Sequence, residues 1–212
     1  MNINDFEILF SKKLNSNYKT ADLDKFNKML IREKVDVSFL KDIINDKQQY
    51  HRTYFQVSLG LIDDINDKLA FIENNFDKLS DWWHVDQLEQ FIDKKLSFDI
   101  AYNKALQYIN NPLPYARRWG YVMFMPSLVK NENRFKDIFN LFKEDDVYHV
   151  VMAQAWLISY LGIYYPKYTL AYLKSKPLSY DIVGKAIQKI CDSFRVSKDY
   201  KEMFKEVRKL YK

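Results

Sequence analysis

The amino-acid sequence predicts an all-α protein. Only four glycines and five prolines occur among its 212 residues, so the sequence offers few of the tight turns that join β-strands. Lys, Leu, Ala, Glu and Gln instead recur in amphipathic stretches with helical spacing. A chain of this length buries roughly 70% of its unfolded surface in one domain. We therefore expect a single helical domain over residues 1–212.

Three tryptophans indicate an internal repeat. Trp83, Trp119 and Trp156 are separated by 36 and 37 residues, and each lies in an apolar helical segment that follows a polar or proline-containing break. Two antiparallel helices and their loops fill a period of this length. The spacing thus predicts HEAT-like units that stack into a curved α-solenoid with concave and convex faces.

Periodicity and capping residues predict the helices in order along the chain. Asp81 precedes the segment that begins at Trp82, and Asn111 precedes a segment with Pro114 in its first turn. Pro126 is expected to kink or end the helix after Arg118. The predicted helices run roughly through 3–14, 20–32, 36–48, 50–63, 66–78, 82–94, 98–109, 114–129, 132–143, 147–164, 167–174, 179–193 and 198–211.

Composition argues against several classes of function. The one cysteine, Cys191, excludes an intramolecular disulfide and a multi-cysteine metal site. The three histidines are far apart in sequence, so we name no metal ligand. No glycine-rich phosphate loop stands out, which argues against nucleotide hydrolysis. Without a signal-like N-terminus or an apolar run of membrane-spanning length, we expect a cytoplasmic protein with no membrane partner.

The net charge of +5 and the pI of about 9.0 favour a polyanionic partner. The basic residues are spread along the chain and do not form a tail. A binding surface for nucleic acid would therefore have to be assembled by folding, and we expect it on a concave basic face.

The segment Trp82-Trp83-His84-Val85-Asp86 carries the chemistry that the sequence suggests. On a helix, Trp82 and Asp86 project from the same side, one turn apart. A carboxylate can stabilise positive charge on a deoxyribose and orient water, and an indole face attracts a cation. A tryptophan on an apolar helix face is more often a core residue, however, and an aspartate near a helix start is more often a cap.

Four segments, in this order and at these separations, resemble the DNA alkylation repair enzyme family, the AlkD-type glycosylases built from HEAT-like repeats. The resemblance covers roughly residues 35–212. Its carriers are the segments WWHVD at 82–86, ARRWGYVM at 116–123, MAQAWLIS at 152–159 and KAIQKICDSFRVS at 185–197.

The resemblance implies a role for each matching residue. It places the family's catalytic aspartate at Asp86, its sugar- and base-contacting tryptophans at Trp82 and Trp156, and its phosphate-contacting arginine at Arg118. We interpret the neighbouring Trp83 and Trp119 as structural, because adjacent helical residues point elsewhere. Further candidates for contact with the phosphodiester backbone lie in the C-terminal segment, namely Lys185, Lys189 and Arg195.

The activity implied is that of a monofunctional DNA glycosylase of base excision repair, without metal or cofactor, acting on N3- or N7-alkylated purines in double-stranded DNA. Such a base is cationic and leaves without protonation, so Asp86 would stabilise the oxocarbenium-like sugar and orient water. No lysine nucleophile is identifiable, so we expect abasic DNA as the product. We also expect a monomer.

Two other functions remain open at the level of sequence. A non-catalytic HEAT-repeat relative would bind branched or distorted DNA through the same basic face, with salt-sensitive affinity and no base release. A helical scaffold would bind a protein partner in its groove and would be indifferent to DNA.

Overall fold

The computed structural model describes residues 1–92, 96–175 and 177–211. The chain is all-helical, with 69% of residues in helices and no strand within these ranges. It divides into two compact units, Met1–Lys95 and Leu96–Lys212. No helix in the described ranges is long and apolar enough to cross a membrane.

The first unit is built around an aromatic core. The ring of Tyr50 lies 5.2 Å from that of Phe6 and 5.0 Å from that of Phe10, and Phe10 also meets Phe26 edge-on. Its helices are α1 (Ile3–Lys13), α2 (Thr20–Arg32), α3 (His51–Leu61), α4 (Ile65–Glu73), α5 (Trp82–Asp86) and α6 (Leu88–Phe91). Within this unit α3 packs against α2 and α6.

The prediction of a helix over 36–48 is wrong. Only a short 3-10 turn, Ser38–Leu40, forms there. The carboxylate of Asp36 accepts hydrogen bonds from the backbone N–H and the hydroxyl of Ser38, at 2.8 and 2.9 Å. Such a local bond offers the backbone an alternative to the helix.

The helix predicted over 82–94 is divided in two. Gln87 joins α5 to α6, and its backbone N–H donates to the carbonyl of Trp83 at 3.3 Å. The second helix ends at Phe91. Residues 93–95 lie outside the described residues.

The second unit is organised by a long, almost fully apolar helix. Its helices are α7 (Phe98–Tyr108), α8 (Pro114–Val122), α9 (Phe135–Ile138), α10 (Tyr148–Tyr164), α11 (Pro166–Lys174), α12 (Tyr180–Asp192) and α13 (Lys198–Lys209). The long apolar helix is α10, which packs against α8, α11 and α12, and α12 packs against α13. At Gly162 on α10, a Cβ atom would lie 2.5 Å from Ile190 Cδ1 on α12, so the glycine permits this close approach.

The helix predicted over 114–129 is shorter than expected. Pro114 occupies its first turn, as predicted, and α8 ends at Val122. Pro126 follows that end, preceded by a cis peptide bond at Met125. The expectation that Pro126 limits this helix is therefore confirmed, because proline cannot donate to the helical hydrogen-bond ladder.

Candidate functional site

Helix α5 presents one exposed indole and one half-buried carboxylate. Its N-terminus is capped by Asp81, whose carboxylate accepts the backbone N–H of Trp82 at 2.6 Å. Trp82 is 49% exposed, and Asp86, one turn later, is half-buried. His84 and Val85 between them are buried and fix the helix to the core. Trp82 and Asp86 thus lie on one helix, at its first and last residues.

Asp86 lines an open cleft of about 380 Å³ in the first unit. Trp83 lines the same cleft, together with Tyr18, Arg52 and Gln87. Trp82 is not among the lining residues and faces solvent elsewhere. The aromatic neighbour that shares the cleft with Asp86 is therefore Trp83, which the sequence interpretation treated as structural.

A chain of hydrogen bonds fixes two residues that line this cleft, Arg52 and Gln87. Arg52 binds the carboxylate of Asp24 through two bonds, Nε to Oδ1 at 2.8 Å and Nη2 to Oδ2 at 3.2 Å. Its Nη1 donates to Oε1 of Gln87 at 3.2 Å, and the amide of Gln87 donates to Nδ1 of His51 at 3.0 Å. The last link runs from Nε2 of His51 to the carbonyl of Lys78 at 3.1 Å. The residue that follows Asp86 is thereby fixed by two partners.

A histidine of α3 stacks on a histidine of α5. The ring centroids of His51 and His84 lie 3.4 Å apart with an interplanar angle of 8°. Burial, and secondarily the nearby His84, lowers the pKa of His51 to about 3. Burial also lowers the pKa of His84 to about 4. Both rings are therefore neutral at physiological pH, which removes them as cationic partners of Asp86.

The hydrogen bonds of the two histidines assign their tautomers. Nε2 of His51 faces a carbonyl acceptor and carries the proton, so its Nδ1 accepts from Gln87. Nδ1 of His84 accepts the backbone N–H of Ser80 at 3.1 Å, so its proton is on Nε2. That Nε2 is buried and has no hydrogen-bond partner among the described residues.

The candidate residues of the second unit occupy different environments. Arg118 is only 5% exposed, and its Nη1 donates to the carbonyl of His149 at 2.6 Å. The adjacent Arg117 forms a two-bond ion pair with Asp145, with Nε to Oδ2 at 2.7 Å. Trp119 is fully buried. The Arg118 guanidinium is therefore part of the interior of this unit.

Trp156 lies on the partly exposed face of α10. Its indole contacts Tyr160, with 6.1 Å between ring centroids. Met152, one turn earlier on the same face, lines a cleft of about 430 Å³ together with Lys185 and Lys189 of α12. The second unit thus brings Trp156 and two of the predicted phosphate-binding lysines onto neighbouring surfaces.

The three C-terminal cations differ in their partners. Lys185 forms an ion pair with Asp181 one turn earlier. Lys189 has no ion pair within the described ranges and shares its cleft with Arg208, which donates to the hydroxyl of Tyr180 at 3.3 Å. Arg195 is exposed in the loop after α12 and donates to the hydroxyl of Tyr164 at 3.3 Å. Lys189 and Arg195 are the cations best placed to meet an external anion.

The described residues contain no group of His, Cys, Asp or Glu that could hold a metal ion. No protein-family model, curated protein or solved structure matches this chain. The family resemblance therefore rests on the four sequence segments. The geometry adds which of their residues are accessible to a ligand.

Sequence reasoning missed Arg52, Gln87 and the histidine pair. Arg52 and His51 begin α3, whereas Gln87 and His84 lie in or next to α5. The contacts therefore join helices far apart in sequence, and no local period reports them. The one available signal was that a histidine lies in each of two apolar stretches, where a buried polar side chain requires a partner.

Proposed function

We propose that this protein is a monofunctional DNA glycosylase that hydrolyses the N-glycosidic bond of N3- or N7-alkylated purines in duplex DNA. The observation that carries the proposal is the arrangement on α5. There the Asp86 carboxylate and the half-buried indole of Trp83 line the same open cleft, and the exposed indole of Trp82 lies one turn before Asp86. An indole that shares a cleft with a carboxylate suits a cationic transition state.

Asp86 would act on the sugar. As the bond to the cationic purine breaks, positive charge develops on the deoxyribose, and a carboxylate beside it lowers the energy of that state. The same carboxylate can orient the attacking water. Gln87, fixed between Arg52 and His51, limits the movement of the Asp86 backbone, and fixed geometry is what electrostatic stabilisation requires.

The lining of the Asp86 cleft favours simple hydrolysis. A lyase that forms a Schiff base needs a lysine amine beside the sugar. No lysine lines this cleft in the described part of the chain. We therefore expect an abasic site in an uncut strand as the product.

We also propose that the helices stack as HEAT-like repeats into an α-solenoid with a basic concave face, and that the protein acts as a cytoplasmic monomer on double-stranded DNA. The net charge of +5 and the accessible Lys189 and Arg195 support a polyanionic partner. Trp156 would contact the lesion from α10. Arg118 would contribute to phosphate binding from a largely buried position, so its contribution is expected to be smaller than that of Arg195.

The test compares bases of different charge. Duplexes carrying one 7-methylguanine, one 3-methyladenine or one uracil are incubated with the protein at low salt, and the free base and the strand integrity are measured. We expect release of the two cationic purines, little release of uracil, and intact strands until alkali is added. Rapid uracil release, or direct strand cleavage, would contradict the proposed chemistry.

The second candidate is a DNA-binding protein without catalysis, specific for branched or distorted duplexes. The accessible cations of the second unit favour it, because they do not depend on Asp86. Tight, salt-sensitive binding to duplex or branched DNA without release of any methylated base would establish this alternative. Neither binding nor release would indicate a scaffold for a protein partner.

A further inference from the structure

The loop between α12 and α13 presents the most exposed large apolar side chain in the described ranges. Phe194 is 92% exposed. The loop around it is fixed: the hydroxyl of Ser193 accepts the backbone N–H of Arg195 at 3.2 Å, and Val196 is buried. Ser197 then caps α13 by accepting the backbone N–H of Tyr200 at 3.4 Å. A buried valine and two capping serines therefore hold one aromatic ring out in solvent.

One cation lies near the Phe194 ring, and a second lies near the ring of Tyr164. The guanidinium of Arg195 lies 5.8 Å from the centroid of Phe194, and it donates to the hydroxyl of Tyr164. The ammonium of Lys130 lies 5.5 Å from the Tyr164 ring. Within the described ranges neither cation is paired with a carboxylate. Both charges are therefore available to an external anion.

A row of aromatic rings connects this tip with Trp156. Along one face of α10, the ring centroids of Trp156 and Tyr160 lie 6.1 Å apart, and those of Tyr160 and Tyr164 lie 6.3 Å apart. All three are half-buried on a helix whose other faces are buried. At the end of the row stands the Arg195 side chain on Tyr164. The partly exposed face of α10 is thus aromatic, and its far end is cationic.

We propose that Phe194 is a wedge that inserts between two adjacent base pairs of duplex DNA, with Arg195 and Lys130 on the neighbouring phosphates. Apolar side chains that unstack a base step are a recurring device of DNA-bending proteins, and cations beside them bind the backbone. This inference rests on the proposed DNA-binding function and adds a second contact outside the Asp86 cleft. Unpaired cations and stacking rings together favour nucleic acid over an apolar partner.

The length of the aromatic row predicts where the wedge acts. Tyr164 follows Trp156 by two helical turns, a rise of about 12 Å at 1.5 Å per residue. Base pairs are spaced about 3.4 Å apart along the duplex. If Trp156 contacts the lesion and the row runs along the duplex, Arg195 on Tyr164 meets the backbone about three to four base pairs from the lesion, and the adjacent Phe194 unstacks a step there.

The experiment uses the full chain and a duplex with 2-aminopurine, whose fluorescence rises on unstacking, placed at successive distances from a 7-methylguanine. Wild-type protein is expected to raise the fluorescence most at three to four pairs. Phe194→Ala is expected to abolish the rise and to weaken duplex binding at least about fivefold, since one base–aromatic stacking contact is worth at least that. Phe194→Trp, which keeps an aromatic ring at this position, is expected to retain both the fluorescence rise and the wild-type affinity.

Two further variants separate the wedge from general effects. Leu210→Ala removes another large apolar side chain of the same unit, 49% exposed, and is expected to change neither readout. Arg195→Gln is expected to lower the slope of log affinity against log salt by about one, because one phosphate contact is lost. Thermal unfolding of Phe194→Ala is expected to match wild type closely, since the ring is 92% exposed and buries little surface.

Equal fluorescence and affinity for wild type and Phe194→Ala would overturn the wedge. If base release persisted in both proteins, the proposed glycosylase would stand without it. Absence of both duplex binding and base release in wild type would instead overturn the proposed function and the wedge together. A Phe194→Ala defect confined to binding of anionic phospholipid vesicles, with DNA binding unchanged, would assign the tip to a lipid surface and refute the proposal.

Discussion

The imidazole rings of His51 and His84 are stacked, with their centroids 3.4 Å apart, and His84 lies on the same helix as Asp86. The two residues come from α3 and α5, so the stack joins two elements that are distant in sequence. Both rings are fully buried and neutral. A proton on either ring would place a charge in the interior, against a second imidazole.

The stack predicts a loss of stability on mild acidification. In the unfolded chain a histidine has a pKa of about 6.5, whereas in the folded protein burial lowers the pKa of His51 to about 3 and that of His84 to about 4. Between pH 6.5 and 4 the unfolded chain therefore takes up protons that the folded protein does not. The free energy of unfolding is expected to fall by up to about 1.4 kcal/mol per pH unit for each ring.

Urea unfolding at pH 7.5, 6.5 and 5.5 measures this effect. His84→Asn keeps an acceptor for the Ser80 N–H but cannot titrate, so its stability is expected to fall less steeply with pH. His149→Gln, which replaces the histidine outside the stack, is the matched control. Identical slopes for wild type and His84→Asn would contradict the assignment.

Gln87 is expected to stabilise the Asp86 cleft through its two side-chain bonds. Gln87→Leu leaves the buried Nδ1 of His51 without its donor, which costs about 1–3 kcal/mol, and removes one bond from the half-buried Arg52. The control is Gln90→Leu, because Gln90 accepts from Arg52 at an exposed position. Chemical denaturation should show a clear loss for Gln87→Leu and at most about 0.5 kcal/mol for Gln90→Leu; equal losses would refute this role.

Arg118 is expected to contribute mainly to folding. Its buried guanidinium donates to the His149 carbonyl, and a hydrogen bond from a charged group contributes about 1.5–3 kcal/mol. Arg118→Met keeps the aliphatic part and removes the donor, so the free energy of unfolding should fall by about that amount. Arg195→Met, at an exposed site, should cost less than about 0.5 kcal/mol. An unchanged stability in Arg118→Met would mean that its guanidinium serves a ligand alone.

The two adjacent tryptophans of α5 are expected to respond differently to truncation. Trp82→Ala removes an exposed ring, so it should lower base release while changing the midpoint of thermal unfolding little. Trp83 is half-buried against His51 and His84, with ring centroids 5.4 and 4.1 Å apart, so Trp83→Ala should destabilise the first unit. Unfolding midpoints and release rates measured on the same samples separate the two roles. A stable but inactive Trp83→Ala would transfer the lesion contact from Trp82 to Trp83.

Local pattern predicted the helical class and several helices. Strongly amphipathic segments such as α12 and α13 begin within a residue of their predicted starts, because their apolar residues recur at helical spacing and serines stand before their first turns. The pattern failed at 36–48, where the chain forms a 3-10 turn at Ser38–Leu40 and irregular turns after it.

Some features of the candidate site follow from local sequence spacing, and others depend on tertiary contacts. The presence of Trp82 and Asp86 on one helix was predictable from the sequence, whereas the sharing of the cleft by Asp86 and Trp83 was not. Arg52, Gln87 and the His51–His84 stack were not, because their contacts join α3 to α5 and α6 through tertiary packing. Burial of Arg118 was also not predictable, since one helix position can face either the interior or solvent depending on its neighbours.

The most direct test of Asp86 as the catalytic residue is single-turnover release of 7-methylguanine from duplex DNA by wild type, Asp86→Asn and Asp81→Asn. Asparagine has nearly the shape of aspartate but lacks the charge, and it caps a helix as well as aspartate does, so Asp81→Asn preserves the fold and serves as the control. We expect release by wild type and Asp81→Asn, with a rate at least about a hundredfold lower in Asp86→Asn, as for loss of one electrostatic group at a reacting centre. Equal release by wild type and Asp86→Asn would contradict the assignment of Asp86 as the catalytic residue.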